Sequence, residues 1–235
     1  IGRFKKIIFK YFELAASLRE GTYIACSLSE FDAIRKMLPS ARVALCENAV
    51  DFEDFQNIAP VSRKFPTDFV KVVSVGGIRP QKGPLEFAKI AARFDKKNIR
   101  FVWVGDGGRE LRDVLIGAGV TVTGWMSREE TIEELHASDV YLSTARWEGM
   151  PVSVIEACAA NTPVILRNSA GNVDIVKDGE SGFLFSNTEQ CIELLNEYLE
   201  QPARFRSVAR VAYKQVFERF SVDRFVQKLS EIYNV

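Results

Sequence analysis

An α/β fold is predicted for this 235-residue chain: a Rossmann-like parallel sheet with helices on both faces, followed by C-terminal helices. Three observations predict it. From Phe69 onward, short β-rich runs alternate with helical patterns, the order that builds strand–crossover–strand units. The strands are continuously apolar, as strands buried on both faces are. After the last strand, three helical patterns follow in a row.

The elements read in order as follows. "GRFKKIIFKYFELAASL" is amphipathic, "TYIACS" strand-like, "EFDAIRKML" helical and "ARVALCE" strand-like. The stretch from Asn48 to Thr67 has few apolar runs and two prolines and reads as a linker. "FVKVVSVGG" is a buried strand by its valines, and "GPLEFAKIAARF" follows with helical spacing. "IRFVWVGDGG", "RELRDVLIGAG" and "VTVTG" repeat the strand, helix, strand order. "SREETIEELHAS" opens with Ser127 and places Glu130 three residues later, a capping-box signature. "DVYLST" is a strand, "VSVIEACAA" an apolar helix wedged against the sheet, "PVILRN" a strand and "GFLFS" a last short one. "TEQCIELLNEYLEQ", "ARFRSVARVAYKQVFERF" and "SVDRFVQKLSEIYNV" are the closing helices.

Bulk properties narrow the function. Hydrophobic content of 47% and charged content of 26% are those of an ordinary globular protein. Lysine plus arginine (31) balance aspartate plus glutamate (31), which argues against a dedicated nucleic-acid binder. No apolar run reaches the roughly 18 residues of a spanning helix, and no secretory signal is read, so a cytoplasmic location is expected. Cys26, Cys46, Cys158 and Cys191 form no C-x-x-C pair and read as buried thiols. The single histidine, His136, reads as structural, and no metal site is expected.

In open α/β sheets, ligands bind beyond the carboxyl ends of the strands. "SVGGIRPQKG" is one such end: Gly76 and Gly77 permit close backbone approach, and Lys82 arrives at a helix start that already favours an anion. It is not a Walker A loop, and a plain turn with a solvated lysine is the alternative. "VGDGGRE" fails the G-x-G-x-x-G fingerprint because position 110 is Glu110, so it reads as a tight turn. "RWEGMPVSVIEAC" is the third end. Gly149 lets the chain turn, Pro151 suits a helix start, and the amides around Met150 and Val152 point at an anion. Glu156 sits about one and a half turns into that helix. A carboxylate there costs several kcal/mol unless its oxygens find donors, and a ribose diol offers two. A solvated stripe shared with Ser153 is the alternative.

Glu148, seven residues and then Glu156, with Gly149-Met150-Pro151 between, resembles the signature of the family-4 retaining glycosyltransferases of GT-B fold. "VGGIRPQKG", "VGDGGRELRDVL", "VTVTGWMSREETIEELHASDVYLSTARWEGMPVSVIEACAANTPVI" and "AGNVDIVKDGESGFLF" resemble that family's segments in the same order, from about Cys46 to the C-terminus. The resemblance implies that Glu156 holds the donor's ribose and that Glu148 is the catalytic carboxylate near donor sugar and reacting centre. Gly149, Met150, Pro151 and Val152 then face sugar and phosphate, Lys82 binds the diphosphate, and Trp125 and Met126, after Gly124, lie on the nucleobase side. The family often has arginine where this chain has Gly77, and Arg79 is the candidate to supply that charge.

The resemblance also implies one half of a GT-B architecture: residues 1–50 as a remnant of an N-terminal acceptor domain with the interdomain link, and 51–235 as the nucleotide-sugar-binding Rossmann-like domain. Sugar would pass with retention from a nucleoside diphosphate to an acceptor hydroxyl, on an acceptor sugar or lipid-linked glycan, by a front-face mechanism with no cofactor or obligatory metal. The chain alone is expected to bind nucleotide without transferring sugar. A non-catalytic nucleotide-binding fragment and a nucleotide-sugar epimerase are the alternatives. Two further expectations concern the ends. "RFKKIIFKYFEL" fits either a helix packed on a neighbouring domain or one lying on an anionic membrane at its inner face. The strands "TYIACS" and "ARVALCE" expose open edges that favour a homodimer.

Overall fold

The structure is a computed structural model and describes residues 21–57 and 69–233. A two-stranded parallel sheet comes first, β1 (Thr22–Ala25) beside β2 (Arg42–Leu45), joined by α1 (Leu28–Met37). Ser27 caps α1 by accepting from the Glu30 amide, as a short hydroxyl does at a helix start. Six parallel strands then form the main sheet in the order β5-β4-β3-β6-β7-β8. They are β3 (Val70–Val75), β4 (Ile99–Val104), β5 (Thr121–Gly124), β6 (Val140–Ser143), β7 (Val164–Arg167) and β8 (Phe183–Phe185). The crossover helices are α3 (Pro84–Ala91), α4 (Arg109–Gly117), α5 (Arg128–His136) and α6 (Val152–Ala159), and α7 (Thr188–Glu200), α8 (Pro202–Arg219) and α9 (Val222–Tyr233) follow β8. The Rossmann-like sheet with helices on both faces is therefore the architecture of one GT-B half.

Strand alternation divides the core in two. Val73, Val102, Val104 and Tyr141 face one apolar cluster, with Ile155, Cys158, Val216 and Phe220. Val72, Phe101, Trp103 and Leu142 face the other, with Phe87, Ile90, Phe183 and Phe205. Successive side chains point to opposite faces, and here both faces are covered, so both must be apolar. α6 is apolar nearly all round for the same reason: Val154, Ile155, Ala157, Cys158 and Ala159 are buried among β6, β7, α5 and α8. The capping box at α5 forms as its sequence predicts, Ser127 and Glu130 each accepting from the other's amide.

Three expectations need correction. The stretch from Asn48 to Thr67 is not all linker, because α2 (Phe52–Asn57) buries Phe52 and Phe55 in the core; 58–68 lie outside the described residues. Pro151 is the N-cap of α6 rather than its first residue. Of the four free cysteines, Cys46, Cys158 and Cys191 are buried, but Cys26 is only half-buried. The amphipathic N-terminal stretch with Arg3 and Lys10 also lies outside the described residues. Among those described, no helix is long and apolar enough to cross a membrane.

Candidate donor-binding site

β3 and β6 are neighbours in the sheet, but their crossovers leave in opposite directions, since β3 is followed by β4 on one side and β6 by β7 on the other. The loops after their carboxyl ends therefore part and leave a crevice, the place where such sheets bind ligands. Lys82 comes from the β3 side and Glu148 from the β6 side.

The β3 loop is anchored from β4. The Gly76 amide donates to Val104 O at 2.9 Å, and the buried Trp103 donates its Nε1–H to Gly76 O at 2.8 Å. Arg79 then precedes a 3-10 turn, Pro80–Lys82, which ends on Gly83. Gly83 has φ +72°, and a Cβ there would stand 2.2 Å from Thr144 O, so this left-handed, crowded position admits only glycine without rearrangement. The Thr144 hydroxyl, just past β6, is shared between the carbonyls of Lys82 and Gly83, 3.0 Å from each. Arg146 N donates to Gln81 O at 2.9 Å. Gln81 Nε2 donates to Trp147 O at 3.0 Å and to Glu148 Oε2 at 3.1 Å. The two loops are thus laced together before the charged pair is reached.

Lys82 Nζ lies 2.8 Å from Glu148 Oε1, with side chains 23% and 12% exposed. Oε1 is buried and lies within ion-pair reach of the ammonium without hydrogen-bond geometry to it. Glu148 is held from behind as well. Its amide donates to Ala170 O at 3.1 Å. The next residue, Gly171, sits so close that a Cβ on it would come within 2.8 Å of Glu148 O.

Gly149, Met150, Pro151 and Val152 carry the chain from Glu148 into α6. Met150 is buried in the core, and its carbonyl accepts from Asn48 Nδ2 at 2.9 Å, which ties the link after β2 to this turn. Cys26, at the end of β1, faces Gly149: a Cβ on the glycine would lie 3.0 Å from Cys26 Sγ. The thiol donates to Glu30 Oε2, and burial followed by that carboxylate pushes its pKa up to about 12.

Glu156 is not on a solvated stripe. Its side chain is 13% exposed, and Oε1 accepts from Arg128 Nη1 at 2.8 Å. Burial raises its pKa, and Arg128 pulls it back. Arg128 also donates from Nε to Asp54 Oδ2 of α2 at 2.6 Å. Ser153, which sequence alone grouped with Glu156, instead bonds the hydroxyl of the buried Tyr141 at 2.9 Å. Burial raises that tyrosine's pKa.

Trp125 is 71% exposed, and Met126 beside it packs on the core. A Cβ on Gly77 would lie 3.4 Å from both the Trp125 ring and Arg79 Nε. The loop after β5 thus meets the loop after β3 at the residue where an arginine side chain is lacking, and the Arg79 guanidinium stands there.

Lys82 and Glu148 are in direct contact, with Gly149 to Val152 continuous with them, while Glu156 belongs to a separate cluster with Arg128 and Asp54. Gln81, Thr144, Asn48 and Arg128 escaped the sequence reading. A polar residue within a glycine-rich loop is the one local signal that could have found Gln81, and the others gave none. A cavity of about 660 Å³ lies elsewhere, lined by Glu47, Asn48, Arg219, Arg224 and Lys228 among others, and Asn48 is the one site residue it includes. Among the described residues, no cluster of His, Cys, Asp or Glu could hold a metal ion.

The family model described as "Glycosyl transferases group 1" matches residues 55–215. The UDP-Gal:alpha-D-GlcNAc-diphosphoundecaprenol alpha-1,3-galactosyltransferase of Escherichia coli is 27% identical over 251 residues, covering 97% of this chain and 64% of its own length. Among solved structures, Anabaena HepE in complex with UDP and glucose superposes with a TM-score of 0.84 at 17% identity, over 96% of this chain and 66% of that one. The C-terminal domain of a glycosyl transferase group 1 family protein from Francisella tularensis superposes with a TM-score of 0.61 at 21% identity, over 74% of this chain and 99% of that domain.

Proposed function

The chain belongs to the group 1 glycosyl transferases, and from that premise we propose that it is the C-terminal, donor-binding half of a retaining enzyme moving sugar from a nucleoside-diphosphate sugar to an acceptor hydroxyl. The observation that carries this reading is the pairing of Lys82 with Glu148 across the β3–β6 crevice, 2.8 Å apart. Full coverage of a C-terminal domain of the same family supports the assignment of the half.

Each side chain then has a role. Lys82 binds the diphosphate and stabilises the charge that develops as it leaves, with Arg79 and the N-terminal amides of α6 beside it. Fixed charges and dipoles aimed at a leaving group need no reorganisation when the bond breaks. Glu148 faces the donor sugar and reacting centre, Glu156 the ribose, and Trp125 and Met126 the base. In a front-face reaction the acceptor's proton passes to the departing phosphate oxygen, so no covalent nucleophile is required of the protein. Residues 51–235 are assigned to the nucleotide-sugar-binding domain and 1–50 to the acceptor-side remnant and link. The chain spans 64% of the length of the galactosyltransferase it matches, and positioning of an acceptor sugar or lipid-linked glycan is not among the roles assigned to its residues. Packing of the N-terminal basic stretch on a neighbouring domain, with contact to an anionic membrane face as the alternative, and self-association through the edges of β1 and β2, where Ile24 is exposed, belong to the same proposal. Liposome sedimentation and analytical ultracentrifugation test them.

Calorimetry with UDP and GDP, set beside a turnover assay with labelled donor, tests the central reading. Binding of one nucleotide without turnover by this chain is the expected result. Absence of binding to either overturns it, and rearrangement of the donor sugar without an acceptor favours the epimerase.

A further inference from the structure

Arg128 was not anticipated by any motif, and its position is unusual. It is the first residue of α5, where the helix dipole disfavours a cation. Two carboxylates from two other elements offset this, Asp54 of α2 at 2.6 Å and Glu156 of α6 at 2.8 Å. The Arg128 side chain is 44% exposed and that of Glu156 13%, so the ion pair joins a partly exposed arginine to a largely buried carboxylate. It also follows directly on Trp125, Met126 and Ser127, the loop placed on the base side of the donor.

We propose that Arg128 is a positioning residue for the donor's ribose: clamped by Asp54, it fixes the Glu156 carboxylate through Oε1 and leaves Oε2 to accept from a ribose hydroxyl. The inference rests on the assignment of Glu156 to the ribose made above. A planar guanidinium with five donors can span two carboxylates in fixed geometry, which an ammonium does less well. The groups facing Glu156 are Arg128, Asp54 and, through the core, Tyr141. Of these Arg128 alone is cationic. Burial raises the Glu156 pKa and Arg128 opposes that rise. Without the arginine the carboxyl takes up its proton at higher pH. It then presents an O–H in place of one acceptor, and ribose binding falls as the pH falls through that raised value.

The test compares UDP with 2′,3′-dideoxyuridine diphosphate by calorimetry between pH 5.5 and 8.5, for the unmodified chain and for Arg128→Met, Arg128→Lys, Asp54→Asn and Glu156→Gln. Arg128→Met is expected to lose about tenfold of the preference for the ribonucleotide at pH 6, in line with one charge-assisted hydrogen bond, and to regain part of it at pH 8.5. Arg128→Lys should be intermediate, and Asp54→Asn should show a smaller loss in the same direction. A preference in Arg128→Met that equals the unmodified chain's at every pH overturns the proposal. So does an equal, pH-independent loss for both nucleotides, which is a purely structural role. Tighter ribonucleotide binding also overturns it, because Arg128 would then be competing with the ribose. If Glu156→Gln keeps the full preference, the ribose assignment itself fails, and that result is distinct from failure of Arg128 alone.

Discussion

Lys82 and Glu148 meet at 2.8 Å although they follow different strands, the first after β3 and the second after β6. On the roles proposed above, the cation for the diphosphate and the carboxylate for the sugar are held side by side. Gln81 holds the other oxygen of that carboxylate, donating to Glu148 Oε2 at 3.1 Å.

Lys82→Ala should therefore weaken UDP binding by roughly tenfold to a hundredfold, the range for one charge-assisted hydrogen bond, and leave uridine binding nearly unchanged. Calorimetry with both ligands checks this. Equal losses would remove Lys82 from the phosphate site.

Gly83→Ala should destabilise the chain by about 3 kcal/mol or more, since a left-handed backbone strain of order 1–3 kcal/mol is compounded by the 2.2 Å approach to Thr144 O. Gly179→Ala isolates the first effect, because Gly179 has φ +70° with nothing within 4 Å of its added Cβ. It should cost about 1 kcal/mol. Urea denaturation of the two variants separates clash from conformation.

Arg219, at the end of α8, bonds both oxygens of Glu47 and donates to Asp174 O at 2.7 Å. It joins the link after β2 to the loop behind Glu148. Arg219→Ala should lower stability by about 2 kcal/mol, with a coupling to Glu47→Ala of about 1 kcal/mol in a double-mutant cycle. A coupling near zero would make the pair an incidental surface contact.

Cys26 is half-buried, yet its thiol is held near a pKa of about 12 by burial and by Glu30. Iodoacetamide should modify it slowly at pH 8, because the thiolate is the nucleophile. Glu30→Gln should speed the reaction, because the carboxylate's hydrogen bond and charge both help to keep the thiol protonated. Peptide mass mapping gives both rates, and an unchanged rate would leave burial as the whole cause.

How far sequence reaches is visible in particular residues. Val72 and Val73, or Trp103 and Val104, announce a strand buried on both faces because adjacent residues must both be apolar. The capping box at Ser127 is equally local. α2 is hidden because six residues cannot display a helical period, and Phe52 and Phe55 are its only apolar pair. The site divides the same way. Lys82, Glu148 and Glu156 lie in recognisable motifs, so their identities are readable before their contacts are. Arg128 is not, because its meaning depends on Asp54 and Glu156, which are 74 and 28 residues away in sequence. Asn48 is hidden for the same reason: its partner Met150 lies 102 residues on.

The strand order has a consequence for biosynthesis. Residues 70–124 supply β3, β4 and β5, a half-sheet that can pair within itself while the nascent chain is still leaving the ribosome. Residues 140–185 supply the other half-sheet, whose strand pairing to the first runs along β3 and β6. That seam is the floor of the crevice, so Lys82 waits without its partner until the second half has been synthesised. Pairings distant in sequence form late. On the roles proposed above, the nucleotide site is completed only once both half-sheets have paired.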